Sequence, residues 1–564
     1  MCGICGKYGE SSPDKVKLMA NAIRHRGPDG ESFTNHPWGS LGFCWLDIFG
    51  PDKNPQPAFC VENNLSLVFN GEIYNFNELK SIIKSEEIVD EANLILKLYL
   101  IFGERTFEML KGMFTIAIMS PGKLILARDK FGIKPLVYFV KNSSIYFASE
   151  IKALLQVYES NIEINKESLA ETAVLGFVFN MEETMFKGIK QVLPGSYLVF
   201  EEGNVKTYKY SSIPESFYGE ESWQKESSIS HLSLLLNESA KMHADHAKSD
   251  QAIYLSGGVD SSLMTHFMQK HLNDKTFTYT LFDDPKSEDR LFAQKIANTY
   301  KTIHSEYETG IEGTLNFFKH YLYHYESIVT DGLFNVLGSL AFHILSSEIG
   351  KKHKISYCGE GADELFGGYY WLQAHPLGVG DRLRSRSKRV NKGKTSINEY
   401  IMHHFPDDDS KEKEIRKEIF DFLMGPGLTN CHLWSVDRSS SAFSFEARPF
   451  YLYNDIADWA LSLPINDKVT KDNKTKLILK RFAASESNLL KEIADRKKIG
   501  MPAALNNSLI QLSEYSTKVI NESGKKDLPH KEYSTFLFSD TEKVMFDIFY
   551  EIFIINKGRI SLNI

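Results

Sequence analysis

The sequence predicts an α/β protein of two domains. The N-terminal one is built of stacked antiparallel β-sheets with flanking helices. The C-terminal one is built on a parallel α/β sheet with a helical extension. Three observations predict this. The protein has 564 residues, too many for a single hydrophobic core, which points to domains of about 200–350 residues each. Its first 200 residues carry many short apolar runs cut by Gly, Pro, Asn and Ser, with few helical patterns, as packed antiparallel sheets require. From Ser227 onward strand-like and helix-like segments alternate, which predicts a parallel sheet.

The N-terminal strands are LSLVFNGEIY (Leu65–Tyr74), MFTIAIMS (Met113–Ser120), KLILARD (Lys123–Asp129), LVYFV (Leu136–Val140) and SIYFASE (Ser144–Glu150). EANLILKLYLIFG (Glu91–Gly103) places apolar residues at i, i+3 and i+4 and predicts a helix. LPGSYLVF (Leu193–Phe200) reads as the last strand, and the polar stretch Glu201–Lys225 as the boundary. The expected division is 1–200, a linker at 201–226, a second domain at 227–510 and an aromatic-rich extension at 511–564 that packs and does no chemistry. In the second domain, AIYLSGGVDSSLMTHFMQKH reads as strand, glycine turn and helix, TFTYTLF as a second strand, and KISYCGEGADELFGG as a third strand and turn. The basic run Asp381–Lys394 reads as a solvated loop.

Composition narrows the function. Hydrophobic residues make up 42% and charged residues 24% of the protein, with a formal net charge of -8. That balance offers no electrostatic reason to bind nucleic acid. Six unevenly spaced cysteines form neither a disulfide framework nor a paired zinc motif. The N-terminus turns polar too early for a signal peptide, and the apolar runs are of strand length. The expectation is a cytoplasmic enzyme that uses neither membrane nor nucleic acid.

SGGVDSS (Ser256–Ser262) is the most informative stretch. It follows an apolar strand and opens a helix. Gly257 and Gly258 allow close approach of an anion to the backbone, and successive N–H groups at a helix N-terminus attract it. Ser256, Ser261 and Ser262 add hydroxyls. The lysine of a Walker A loop is missing. Asp260 would repel a phosphate unless Mg²⁺ bridges the two. At the other end of the protein, MCGICG puts Cys2 behind the initiator methionine. Removal of Met1 would leave a thiol and a free α-amine on one residue, which is either an accident or an active-site nucleophile.

These motifs carry a resemblance. SGGVDSS resembles the pyrophosphate loop of the ATP-pyrophosphatase superfamily. Together with CGEGADELFGG (Cys358–Gly368), EARPFYLYNDIADWALSLP (Glu446–Pro464), KTKLILKRF and RKKIGMP, it resembles the synthetase domain of glutamine-dependent asparagine synthetases over roughly Ser227–Pro502. The resemblance implies that Leu255, Ser256, Gly257, Gly258, Asp260, Ser261, Tyr279, Cys358 and Gly359 line an ATP site. It implies that Asp260 and Asp363 hold Mg²⁺, that Glu360 supports formation of an acyl-adenylate and its attack by ammonia, and that Lys476 offsets phosphate charge. Such chemistry builds up negative charge that a metal and a cation must meet.

The order Cys2, RHRGPDG, NGEIYN, ARDKFGIKPL, FASEIKAL resembles the class II glutamine amidotransferase domain, of the N-terminal-nucleophile type, over Cys2–Phe200. Cys2 would then attack the glutamine amide with its own α-amine as base, whose reference pKa near 8 suits the task. Asn70 and the Gly71 N–H would form the oxyanion hole, and Glu72 would contact the amide. Two departures touch glutamine recognition. Trp45, in LGFCWLDI, stands where the family places an arginine for the α-carboxylate, which tryptophan cannot pair. Glu91, in DEAN, stands where the family places an aspartate for the α-amine. Arg26 or Lys130 replacing the lost cation, a weakened glutaminase, and a different amide donor are the three explanations.

In the synthetase half, Tyr453 replaces a terminal aspartate and Cys358 a common serine. The acceptor is therefore open between aspartate and another carboxylate, such as a sugar acid or a secondary-metabolite intermediate. Further readings are a different amine nucleophile and a non-catalytic scaffold. The expected partners are glutamine, ATP and the carboxylic acid, with a homodimer left open.

Overall fold

The computed structural model describes residues 1–49, 56–85, 87–212, 225–272, 275–330, 333, 338–369, 376–390, 395–470, 474–496, 504–522 and 528–560. In the N-terminal part the strands are β1 (Gly3–Tyr8), β2 (Gly30–His36), β3 (Gly39–Trp45), β4 (Ala58–Cys60), β5 (Leu65–Ile73), β6 (Gly112–Ser120), β7 (Lys123–Arg128), β8 (Val137–Lys141), β9 (Ser144–Ala148), β10 (Lys190–Gln191), β11 (Ser196–Glu201) and β12 (Asn204–Lys209). They form two antiparallel sheets, ordered β10-β8-β9-β1-β3-β2 and β12-β11-β7-β6-β5-β4.

The continuous apolar run of β6 follows from burial on both faces. Ala117 and Met119 pack with Ile4, Leu41 and Phe43 of the facing sheet. Ile116 and Ile118 pack with Leu94, Ile95 and Leu98 of the helix Glu91–Phe102. The expected last strand at Leu193–Phe200 is not the last. β12 pairs with β11 in register from Ser196↔Lys209 to Glu201↔Asn204. Its residues are mostly exposed, so an edge hairpin strand of polar composition reads as linker in the sequence.

The C-terminal part carries β13 (Gln251–Tyr254), β14 (Phe277–Phe282), β15 (Ile303–Glu308), β16 (Ile355–Cys358) and β17 (Glu446–Pro449), all parallel, ordered β15-β14-β13-β16-β17. From β13 the backbone builds outward through β14 and β15, then returns to β16 on the other side of β13. The switch point therefore lies between β13 and β16, where open α/β sheets form clefts beyond the strand C-termini. Both glycine turns, after β13 and after β16, open there.

The basic run departs from expectation. Residues Pro376–Ser387 form a helix, and Arg384 is buried, donating to the Phe405 carbonyl and pairing with Asp381. Packing of its aliphatic stem outweighs the charge pattern. Residues 391–394 of that run lie outside the described residues. In the extension, Phe549 and Phe553 lie 5.5 and 5.4 Å from the Phe186 ring, so the C-terminal helices close back on the N-terminal part. Among the described residues, no helix is long and apolar enough to cross a membrane.

Candidate active site

A cleft of about 500 Å³ opens where β1, β3, β5 and β17 converge, lined by Cys2, Trp45, Gly71, Glu72, Asp90, Glu91 and Glu446 among others. Cys2 stands at the start of β1. Its Sγ lies 3.5 Å from the Leu46 N–H, its carbonyl accepts from Arg26 Nε at 3.1 Å, and burial pushes the thiol up to about 11. Burial lowers the α-amine of Met1 to about 5. Four of the predicted residues, Trp45, Gly71, Glu72 and Glu91, therefore surround the thiol.

Asn70 is fully buried on β5 opposite Thr115, and neither its Oδ1 nor its Nδ2 has a hydrogen-bond partner among the described residues. A buried amide left unsatisfied costs roughly 1–3 kcal/mol. Such a group is retained where a substrate completes it. Gly71 has φ +150°, and a Cβ there would stand 1.9 Å from the Met113 carbonyl oxygen. Only glycine fits this turn of the strand.

The cleft is acidic. Glu446 reaches it from β17, with Lys134 Nζ at 2.7 Å and Arg448 Nε at 2.9 Å. Burial opposes its ionisation, yet the two cations outweigh burial and hold the carboxyl at about 2. Glu72 has Arg448 at 3.0 Å, but burial still pushes it up to about 8. Burial, and then the neighbouring Glu72, raise Glu91 well above the carboxylate range, although it accepts from the Ile73 N–H at 2.5 Å. Asp90 caps the helix Glu91–Phe102 through the Asn93 N–H.

Neither cation proposed to replace the family's arginine is available. Arg26 is fully buried and spends its guanidinium on Glu150 at 2.7 Å, Asp437 at 2.8 Å and Ser441. Lys130 pairs with Asp458. Both serve contacts between the two parts of the protein.

The second site lies at the switch point. Ser256–Gly258 form the turn after β13, and the helix Val259–Met268 starts at Gly258 with no capping side group, leaving first-turn N–H groups for an anion. Gly257 has φ +73°, and a Cβ there would stand 2.3 Å from the Asp289 carbonyl oxygen. Lys476 is buried between two carboxylates, pairing with Asp260 and with Asp363 Oδ1 at 2.5 Å. Burial opposes its charge, but Asp260 and Asp363 outweigh burial and raise its pKa. Its backbone is left-handed at φ 53° just ahead of the helix Leu477–Glu486. That conformation is costly for a lysine and is held by its surroundings. Asp260 Oδ1 is buried without a hydrogen-bond partner among the described residues.

Other predicted residues contribute differently from expectation. Ser256 and Ser261 hydroxyls lie 3.0 Å apart and bond one another. Leu255, Tyr279 and Cys358 are buried. The Tyr279 hydroxyl bonds His353 at 2.8 Å, so its ring is committed to the sheet. Gly359 lies against Asp260, where a Cβ would meet Asp260 Cβ at 3.5 Å. Tyr453 packs between the two parts of the protein, 6.1 Å from the Tyr74 ring.

Several groups escaped the sequence reading. His432 stands 3.6 Å from both Glu360 and Glu364, and the Tyr369 hydroxyl donates to Glu364 at 2.7 Å. Arg496 donates to the Gly257 carbonyl at 2.9 Å and pairs with Asp289 at 2.7 Å, bracing the glycine turn. Glu446 and Arg448 stand in a quoted motif but had no role. Their partner Lys134, in ARDKFGIKPL, is 312 residues from Glu446. β17 is bonded to β16 with Arg448↔Tyr357 and Pro449↔Cys358 in register. One strand pair thus carries the acidic wall of the first cleft and leads into the Cys358–Gly359–Glu360 turn of the second.

Comparison with known proteins adds independent findings. Residues 1–211 match the model of the glutamine amidotransferase domain, and residues 231–546 match that of asparagine synthase. The protein is 27% identical to asparagine synthetase [glutamine-hydrolyzing] 1 of Bacillus subtilis, over 96% of its own length and 93% of the relative's. It is 24% identical to asparagine synthetase B [glutamine-hydrolyzing] of Escherichia coli, over 84% and 77%. Among solved structures, a glutamine phosphoribosylpyrophosphate amidotransferase from B. subtilis aligns at 14% identity and a TM-score of 0.30, over 55% of this protein and 91% of that one.

Proposed function

The protein belongs to the asparagine synthase family and is a glutamine-hydrolysing carbon–nitrogen ligase, and from that premise we propose that it converts aspartate to its amide by way of an acyl-adenylate. Cys2, freed of Met1, attacks the terminal amide of glutamine. Its thiol proton passes to its own α-amine, whose reference pKa near 8 leaves part of it neutral near pH 7. The unsatisfied Asn70 amide and the Gly71 N–H receive the oxyanion. Ammonia leaves toward the synthase half.

At the second site the turn Ser256–Gly258 and the uncapped helix Val259–Met268 take the phosphates of ATP. Asp260 and Asp363 would hold Mg²⁺. The orphaned Asp260 Oδ1 and the all-oxygen donor set fit that ion, and its chemistry there is to neutralise charge on the departing pyrophosphate. Lys476, kept cationic by the two aspartates, meets the same charge. The aspartate carboxylate attacks the α-phosphorus, pyrophosphate leaves, and ammonia then displaces AMP beside Glu360. Glu360, His432, Glu364 and Tyr369 form the polar wall of that step. The functional division is a glutaminase unit over about 1–211 and a synthase unit over about 231–546, following the matched families.

The observation that carries this reading is the Lys476–Asp260–Asp363 cluster at the switch point. The test is ATP–pyrophosphate exchange over a panel of carboxylic acids, with glutamine or ammonium chloride as nitrogen source. Aspartate is expected to give the fastest exchange. Exchange with another acid and none with aspartate overturns the acceptor. Cys2→Ala is expected to lose product formation from glutamine and keep it from ammonium chloride, and full retention from glutamine overturns the role of Cys2.

A further inference from the structure

The cleft beside Cys2 holds four carboxyl groups, Glu72, Asp90, Glu91 and Glu446, and among its described lining residues no lysine, arginine or histidine. Among the described residues, the two side-chain cations that pair with these acids lie behind the wall. Lys134 is fully buried and spent on Glu446. Arg448 is fully buried, shared between Glu446 and Glu72, and donates to the His246 carbonyl at 2.7 Å. Among the described lining residues, no side-chain cation is therefore left to pair with a ligand carboxylate. Burial is the main cause of the raised pKa values of Glu72 and Glu91, and a ligand ammonium beside them would favour their ionised forms. Trp45, Phe49 and Phe69 complete the wall. Aromatic faces attract ammonium groups and repel carboxylates.

We propose that this cleft recognises its amide donor through the donor's amine and does not grip an α-carboxylate, so that a glutamine with its α-carboxyl amidated is hydrolysed at least as well as free glutamine. The proposal rests on Cys2 being the nucleophile of ammonia release. An α-ammonium supplies the charge that Glu91 and Glu72 lack. An α-carboxylate finds no unpaired side-chain cation among the described lining residues. Hydrolysis itself is unchanged: the C–N bond of the terminal carboxamide is broken, water supplies the hydroxyl, and ammonia departs.

The test measures ammonia release by the full-length protein from three donors: L-glutamine, L-glutamine α-N-methylamide and N-acetyl-L-glutamine. The methylamide is chosen because cleavage at its α-amide yields methylamine and no ammonia. The methylamide is expected to match or exceed glutamine in kcat/KM, and the acetylated donor to fall at least tenfold below it. Trp45→Arg is expected to shift the ratio of glutamine to methylamide at least tenfold toward glutamine. If the methylamide falls a hundredfold below glutamine in the wild-type protein while Cys2→Ala is inactive, the proposal fails and Cys2 keeps its role. If Cys2→Ala releases ammonia from all donors at the wild-type rate, the underlying reading fails.

Discussion

Replacing Glu446 by Gln tests how the two halves of the protein are tied together. Glu446 is 1% exposed, bonded to Lys134 and Arg448, and its carboxyl is held at about 2 against an ordinary value of 4.5. A depression of about 2.5 units is worth roughly 3 kcal/mol at 1.36 kcal/mol per unit. The measured cost of breaking one partner out of a buried pair, about 3–5 kcal/mol, agrees. Because the folded value lies below the unfolded one, this stability is present above pH 4.5 and is lost as pH falls toward 2. With an unfolding entropy of about 2.1 cal/mol/K per residue over the docked halves, the variant is expected to melt roughly 2–4 °C below wild type at pH 7. The gap should shrink to about half or less near pH 3. Lys134→Met on top of Glu446→Gln removes the stranded ammonium and is expected to recover part of the loss. Thermal melts of both variants across pH decide it. A gap under about 1 °C at pH 7, or one that stays constant down to pH 3, refutes the reasoning.

Three further predictions follow from the same geometry. Gly71→Ala would drive a Cβ into the Met113 carbonyl at 1.9 Å, and is expected to cut ammonia release from glutamine at least a hundredfold while product formation from ammonium chloride stays within threefold. Lys476→Met leaves Asp260 and Asp363 facing each other uncompensated. It is expected to slow ATP–pyrophosphate exchange about a thousandfold, a loss near 4 kcal/mol, with glutaminase activity kept. Glu72, raised to about 8 in the fold, favours the folded state fully below pH 4.5 and loses that contribution as pH rises through 8. Glu72→Gln is expected to flatten the fall in melting temperature between pH 5 and 8.5.

The two glycine turns were legible because local geometry demands them. Gly71 and Gly257 tolerate no Cβ, and Cys2, Asn70 and the SGGVDSS loop are contiguous signals. β12 was not legible, since an exposed edge strand needs no apolar alternation. The fate of Arg26 was not legible either. Its partners Glu150 and Asp437 lie 124 and 411 residues away, and charge alone does not say whether an arginine faces a substrate or a buried acid. His432 carried no motif, because its meaning comes from Glu360 and Glu364 being folded against it.

The sequence by itself determined the class of the protein. Periodicity set antiparallel sheets before a parallel one, and short glycine-rich turns marked both clefts, because backbone constraints act over a few residues. Only the tertiary structure decided the charge of the first cleft and its link to the second. Glu446 and Arg448 on β17, Lys134 from the turn after β7 and Glu72 on β5 meet only once the two halves dock. Desolvation then sets the ionisation of each acid. Burial and long-range pairing are properties of the packed whole, and no window of the sequence contains them.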